Sequence, residues 1–147
     1  MHEQFTDKAK NVLRYAKEIA RKQFQTYIGC EHLLYGLFRE KNSVASQVLE
    51  ANGVSKENLS EMLSSYAHPS GGEKPSAGEM EYTPKALSIL AESHRQAAIY
   101  KEEKTGTEHI LLAMIQDGNN LAVKFLKEMQ IDYYKMYITD FSDINIA

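Results

Sequence analysis

The chain repeats itself at a single offset. Shifted by 77 positions, Gly29-Cys30-Glu31-His32-Leu33-Leu34 falls on Gly106-Thr107-Glu108-His109-Ile110-Leu111. Thr6, Lys8 and Ala9 fall on Thr83, Lys85 and Ala86, and Asn42, Ala45 and Leu49 fall on Asn119, Ala122 and Leu126. No gap is needed, and 12 of the 50 positions compared, 5–54 against 82–131, are identical. Self-similarity at one fixed offset marks a duplicated supersecondary unit. The chain must therefore fold as two copies of one unit.

The period within each copy is helical. Thr6 is an N-cap before Ala9, Val12, Leu13, Ala16, Ile19, Ala20 and Phe24, an apolar stripe at i, i+3, i+4 spacing. The copy starts the same way at Thr83-Pro84, with proline where its missing N–H costs nothing. Gly29 and Gly106 precede second helices carrying Leu33, Leu34, Leu37 and Phe38, or Ile110, Leu111, Met114 and Ile115. Third helices follow over Val44, Ala45, Val48 and Leu49, and over Leu121, Ala122, Phe125 and Leu126. Asn52-Gly53 closes the first of these; Gln130 replaces that glycine in the copy and predicts a less sharp stop. Ser55 and Asp132 are N-caps of fourth helices. Alternating β-branched strand patterns are absent. Such short helices cannot each bury a stripe alone. The prediction is one all-α domain over 1–147, with four-helix repeats at 5–66 and 82–141 packed about a pseudo-twofold axis. The Pro-, Ser- and Gly-rich stretch 67–81 reads as a flexible linker and the tail at 142–147 as a fraying end or a cut.

Composition removes several function classes. A net charge of −3 with 25% charged residues gives no footprint for nucleic acid. No apolar run nears the ~20 residues that span a bilayer, and the N-terminus lacks the form of a signal peptide. The single cysteine, Cys30, fits a reducing compartment, so a cytoplasmic location is expected.

Catalytic constellations are missing too. There is no Gly-x-x-x-x-Gly-Lys-Ser/Thr run for a nucleotide and no His-Glu-x-x-His for a metal. Adjacent Glu31-His32 and Glu108-His109 point about 100° apart on a helix, which is poor geometry for one ion. Both histidines read as structural groups at helix starts. A hydrolase or metal enzyme built on His32, His109 and Cys30 is the enzyme alternative; the expectation is a binding module with no catalytic residue, no metal and no cofactor of its own.

The recurring polar residues remain. Glu31 and Glu108 at helix starts complement the helix dipole, worth ~0.3–1 kcal/mol. Thr6 with Lys8, and Thr83 with Lys85, stand at first-helix starts whose free N–H groups can take an anion. A carboxylate beside such a site suits a ligand carrying both a cationic and an anionic group.

The blocks Phe5-Thr6-x-Lys8-Ala9, Gly29-x-Glu31-His32-Leu33-Leu34-x-Gly36-Leu37, Tyr82-Thr83-Pro84-Lys85-Ala86 and Gly106-Thr107-Glu108-His109-Ile110-Leu111 resemble the double Clp N-terminal repeat of Clp unfoldases, with the form of the ClpC branch. The resemblance implies a domain that binds adaptor proteins and tagged protein substrates in front of an ATPase ring and its peptidase. ATP and Mg would belong to ATPase modules that this sequence lacks. In ClpC proteins it further implies recognition of phosphorylated arginine, with Glu31 and Glu108 on the guanidinium and Thr6, Lys8, Thr83 and Lys85 around the phosphoryl group. One site per repeat is expected, the second being the weaker. Two departures bear on this: Cys30 stands where the pattern has threonine, and Lys104-Thr105 replace an aromatic-aliphatic pair. An excised N-domain is expected from the abrupt end at Ala147. The alternative is a free-standing Clp-repeat protein that docks on a ring or protease without reading any tag.

Overall fold

The computed structural model describes residues 2–66, 78 and 80–137, so most of the linker and the whole tail lie outside the described residues. After a 3-10 turn at His2–Gln4, the first repeat runs α1 (Asp7–Lys22), β1 (Tyr27–Ile28), α2 (Cys30–Arg39), α3 (Val44–Ala51) and α4 (Lys56–Tyr66). The second runs β2 (Glu81–Tyr82), α5 (Pro84–Ile99), α6 (Thr107–Asp117), α7 (Leu121–Glu128) and α8 (Tyr133–Met136). The fold is all-α, as the sequence predicts.

The helices begin where their caps are. Thr6 and Thr83 each accept from the N–H three residues on, at 3.1 Å in both copies. Ser55 and Asp132 do the same for α4 and α8. α1 ends earlier than its stripe suggests. Phe24 lies beyond the last turn with a left-handed φ of 58°, as does its counterpart Lys101 at 59°. The α3 and α7 ends correct another expectation. Gln130 takes φ 63° where Gly53 takes 107°, and Val54 and Ile131 donate to Leu49 and Leu126 in the same way. The stop after α7 is as sharp as its copy, held at the cost of a side chain in the left-handed region.

The second helices form the centre. In α2 and α6 nearly every position is buried, including Leu33, Leu34 and Leu37, and Ile110 to Ile115. A helix apolar all round belongs inside a bundle. α1 covers α2 and α5 covers α6; across the halves α2 meets α6 and α7, and α3 meets α6. Phe5, Leu49, Leu59, Ile89, Leu90 and Phe125 complete one core shared by both repeats.

Two short backbone pairings lock the copies together crosswise. β1 pairs with β2 in parallel, Tyr27 opposite Glu81 and Ile28 opposite Tyr82. Symmetrically, Phe5 bridges Thr105, with Thr6 N–H donating to the Thr105 carbonyl at 2.9 Å. The entry to each repeat is thus paired with the loop before the second helix of the other. Glu81, which the sequence assigns to the linker, is part of this pairing.

Candidate functional site

The crosswise pairing decides which polar residues meet. Because Thr6 is tied to Thr105, the start of α1 lies beside the start of α6. Thr6, Lys8 and Glu108 line one surface groove of ≈ 300 Å³, together with Asp7, Gly106, Thr107 and the Asn42–Val44 turn. On the opposite side Thr83 N–H donates to the Ile28 carbonyl at 3.0 Å, and the charge of Lys85 is felt at Cys30. The expectation of one group per repeat is corrected in its membership: Thr6 and Lys8 come together with Glu108, not Glu31. The physical reason is that each entry segment finds its backbone partners in the other copy.

The glutamates are held by the helix starts they precede. At Gly29 and at Gly106 an added Cβ would collide with the carboxylate two residues on, Glu31 or Glu108, so each side chain folds back over its glycine. Glu31 is only 5% exposed. Burial raises its pKa, against its own backbone N–H and a 3.5 Å hydrogen bond donated by the Tyr27 hydroxyl. Glu108 is half-buried and reaches the open groove.

The two lysines differ in the same sense. Lys8 is exposed and donates to the Asn42 carbonyl at 2.6 Å. Lys85 is bound to Asp117 at 3.0 Å. Although partial burial works to raise the Asp117 pKa, hydrogen bonds from Asn120, Lys85 and the Asn119 N–H bring it below the usual carboxylate range. The Thr6–Lys8–Glu108 group is therefore the open one, whereas Glu31 is buried under the Tyr27 hydroxyl and Lys85 is held by Asp117. Asp7 also lines the groove, but its side chain is 98% exposed and screened by water.

His32 and His109 are structural. Each accepts through Nδ1 the N–H of the glycine three residues back, at 2.9 and 2.8 Å, which leaves the proton on Nε2. This is a capping interaction in which the histidine does the reaching, since glycine has no side chain to return it. Burial drives the His32 pKa down to about 4, so the ring is neutral. Cys30 is 3% exposed, and burial, then the Glu31 charge, pushes its thiol up to about 12, the opposite of what a nucleophile needs. The Thr107 hydroxyl accepts the Ala45 N–H at 3.3 Å and so serves the α3 start. Among the described residues no three His, Cys, Asp or Glu side chains gather as a metal site would require.

Sequence reasoning missed the α3 turn as part of the groove. Its signal was present: Asn42 is one of the repeated identities, and it takes φ 66° to bring its carbonyl to Lys8.

A family model described as the Clp repeat (R) N-terminal domain matches residues 4–129. The chain belongs to the Clp repeat N-terminal domain family. It is 32% identical over 135 residues to the negative regulator of genetic competence ClpC/MecB of Bacillus subtilis (strain 168), covering 92% of this chain and 16% of that protein. Among solved structures it is similar to the N-terminal domain of the caseinolytic protease associated chaperone ClpD from Arabidopsis thaliana. The TM-score is 0.79 at 14% identity, over 98% of this chain and 99% of that one. A ClpV N-domain solved in complex with a VipB peptide gives 0.74 at 16% identity, over 97% and 87%. At those identities the likeness to the structures is one of fold. The Clp repeat domain here spans 16% of the length of its ClpC/MecB relative.

Proposed function

We propose that this chain is the non-catalytic recognition domain of a ClpC-like ATP-dependent unfoldase, binding adaptors and protein substrates tagged with phosphoarginine. The observation that carries the reading is the grouping of Thr6, Lys8 and Glu108 around one open groove. A carboxylate is the right partner for a guanidinium, and an ammonium beside the α1 start is right for a phosphoryl group. The same pair of charges on one small ligand matches phosphoarginine and few other protein modifications. Thr83, Lys85 and Glu31 form the pseudo-equivalent set, which would open only if Lys85 let go of Asp117 and Glu31 turned out from under Tyr27. The Glu108 site is thus the stronger of the two, the reverse of the order the rim residues suggest. Support for a binding role comes from the ClpV N-domain, of the same fold, which is solved in complex with a VipB peptide.

Calorimetric titration of free phosphoarginine tests the assignment. Glu108→Ala should lose on the order of 1.5–3 kcal/mol of binding, roughly ten- to a hundredfold in affinity. Glu31→Ala should change little at the strong site. A folded Glu31→Ala/Glu108→Ala protein that binds like wild type would leave both residues as helix-start carboxylates only.

A further inference from the structure

A larger groove lies away from these residues, between α1, the end of α2 and α4, with a volume of ≈ 590 Å³. Its floor is formed by half-buried Ile19 and Tyr35 over buried Phe38 and Leu63, and its rim carries Lys22, Arg39, Lys41 and Lys56. The walls are fixed in place. Gln23 donates to the Leu63 carbonyl at 3.3 Å while its amide oxygen lies 3.4 Å from His32 Nε2, so the α1 end is pinned to both neighbours. Arg39 stacks on Tyr15 and bonds Glu18 at 3.1 Å, and Lys41 sits over the Phe38 ring at 3.8 Å. Lys22 and Arg39 share the carboxylate of Glu18, at 3.9 and 3.1 Å, and with Lys41 and Lys56 added the rim is net positive on a chain of net charge −3.

The internal repeat supplies the control. At the same offset, Lys22, Arg39, Lys41 and Lys56 become Ile99, Gln116, Gly118 and Tyr133. A cleft persists there, and its lining among the described residues, Ile115, Gln116, Gly118, Tyr133, Tyr134 and Tyr137, carries no charged side chain. The fold therefore needs the cleft and does not need the cations. A solvated helix face would scatter its charges; here they surround the apolar floor in one copy and are absent from the other.

We infer that the α1–α2–α4 groove is a second docking site, which takes an acidic segment of a partner protein with its apolar side chains seated on Ile19 and Tyr35. The apolar floor favours a polypeptide over a nucleic acid, since it offers side-chain anchors and no array of phosphate donors. The site is separate from the Thr6–Lys8–Glu108 groove and does not depend on what that groove binds.

Fluorescence anisotropy tests it with a labelled peptide of about 15 residues, glutamates with leucine and phenylalanine at helical spacing. Its mirror with lysine for glutamate, a labelled single-stranded DNA and phosphatidylserine vesicles are the comparison probes. The acidic peptide should bind, more weakly as salt rises, and lose at least about tenfold in affinity in Lys41→Glu/Lys56→Glu. Both lysines are exposed, and Lys41→Gln/Lys56→Gln gives a milder loss should reversal disturb the fold. Glu108→Ala should leave this binding unchanged. The inference is overturned if the acidic peptide does not bind wild type, if the lysine mirror binds as well, if both double variants bind as wild type does, or if only DNA or vesicles respond to them.

Discussion

His32 shows how one side chain converts a repeated sequence signal into acid sensitivity. It is 1% exposed, and its Nδ1 must stay unprotonated to accept the Gly29 N–H. With its pKa at about 4 in the folded chain against 6.5 ordinarily, the unfolded chain binds the extra proton between those values. Stability then rises with pH across this window. The contribution is complete above 6.5 and gone below about 4, and a shift of this size is on the order of 3 kcal/mol. Burial lowers His109 in the same direction, opposed by Glu108 and Glu102, whereas Glu31, raised by burial, gains stability as pH falls. The sum is therefore read by difference. His32→Gln keeps an acceptor at the capping position and removes the titration. Urea midpoints between pH 7 and 4 should fall less steeply in His32→Gln than in wild type, and parallel slopes would remove His32 as the sensor.

At the scale of elements, α1 and α2 pack closely at Gly36. A methyl on Gly36 would run into the Val12 carbonyl oxygen and touch its side chain. The copy solves the same contact with Ala113, buried to 1%, so the α5–α6 pair accommodates what α1–α2 does not. Two effects compete in Gly36→Ala. Helix propensity favours alanine by about 1 kcal/mol, while overpacking against backbone costs typically 1–3 kcal/mol. A rigid carbonyl on the facing helix cannot turn aside, so the expected net is a loss, seen as a lower thermal midpoint with α-helix content unchanged. A higher midpoint would mean that the helices separate freely. The helices and their caps were legible from spacing because each rests on local periodicity and on residues three apart. The Phe24 and Gln130 conformations were not, because a left-handed residue outside glycine is chosen by the turn that must close, here the bonds from Gln25 to Ala20 and from Ile131 to Leu126.

For the molecule as a whole, the repeat was visible in the sequence and the crosswise joining was not. Tyr27-Ile28 and Glu81-Tyr82 are too short for any alternation to show, and they pair through backbone groups that every residue carries. That hidden pairing is what moves Thr6 and Lys8 to Glu108, so the composition of the candidate site depended on tertiary contacts while its residue types did not. The same joining sets the folding unit. Phe5, fully buried, packs on His94 of the other repeat at 4.6 Å between ring centroids, and Thr107 holds the start of α3. α2 meets α6 and α7 across the middle, so a single repeat would expose one side of its central helix. A chain of about 60 residues is marginal even with a complete core. Residues 1–66 and 80–147, made separately, should therefore each lack a cooperative thermal transition by circular dichroism. Mixed at equal concentration they should regain helix and unfold in one step whose midpoint rises with concentration, as mass action requires. A sharp transition in residues 1–66 alone would show that each repeat carries its own core, and that the crosswise strands only fasten together two units already folded.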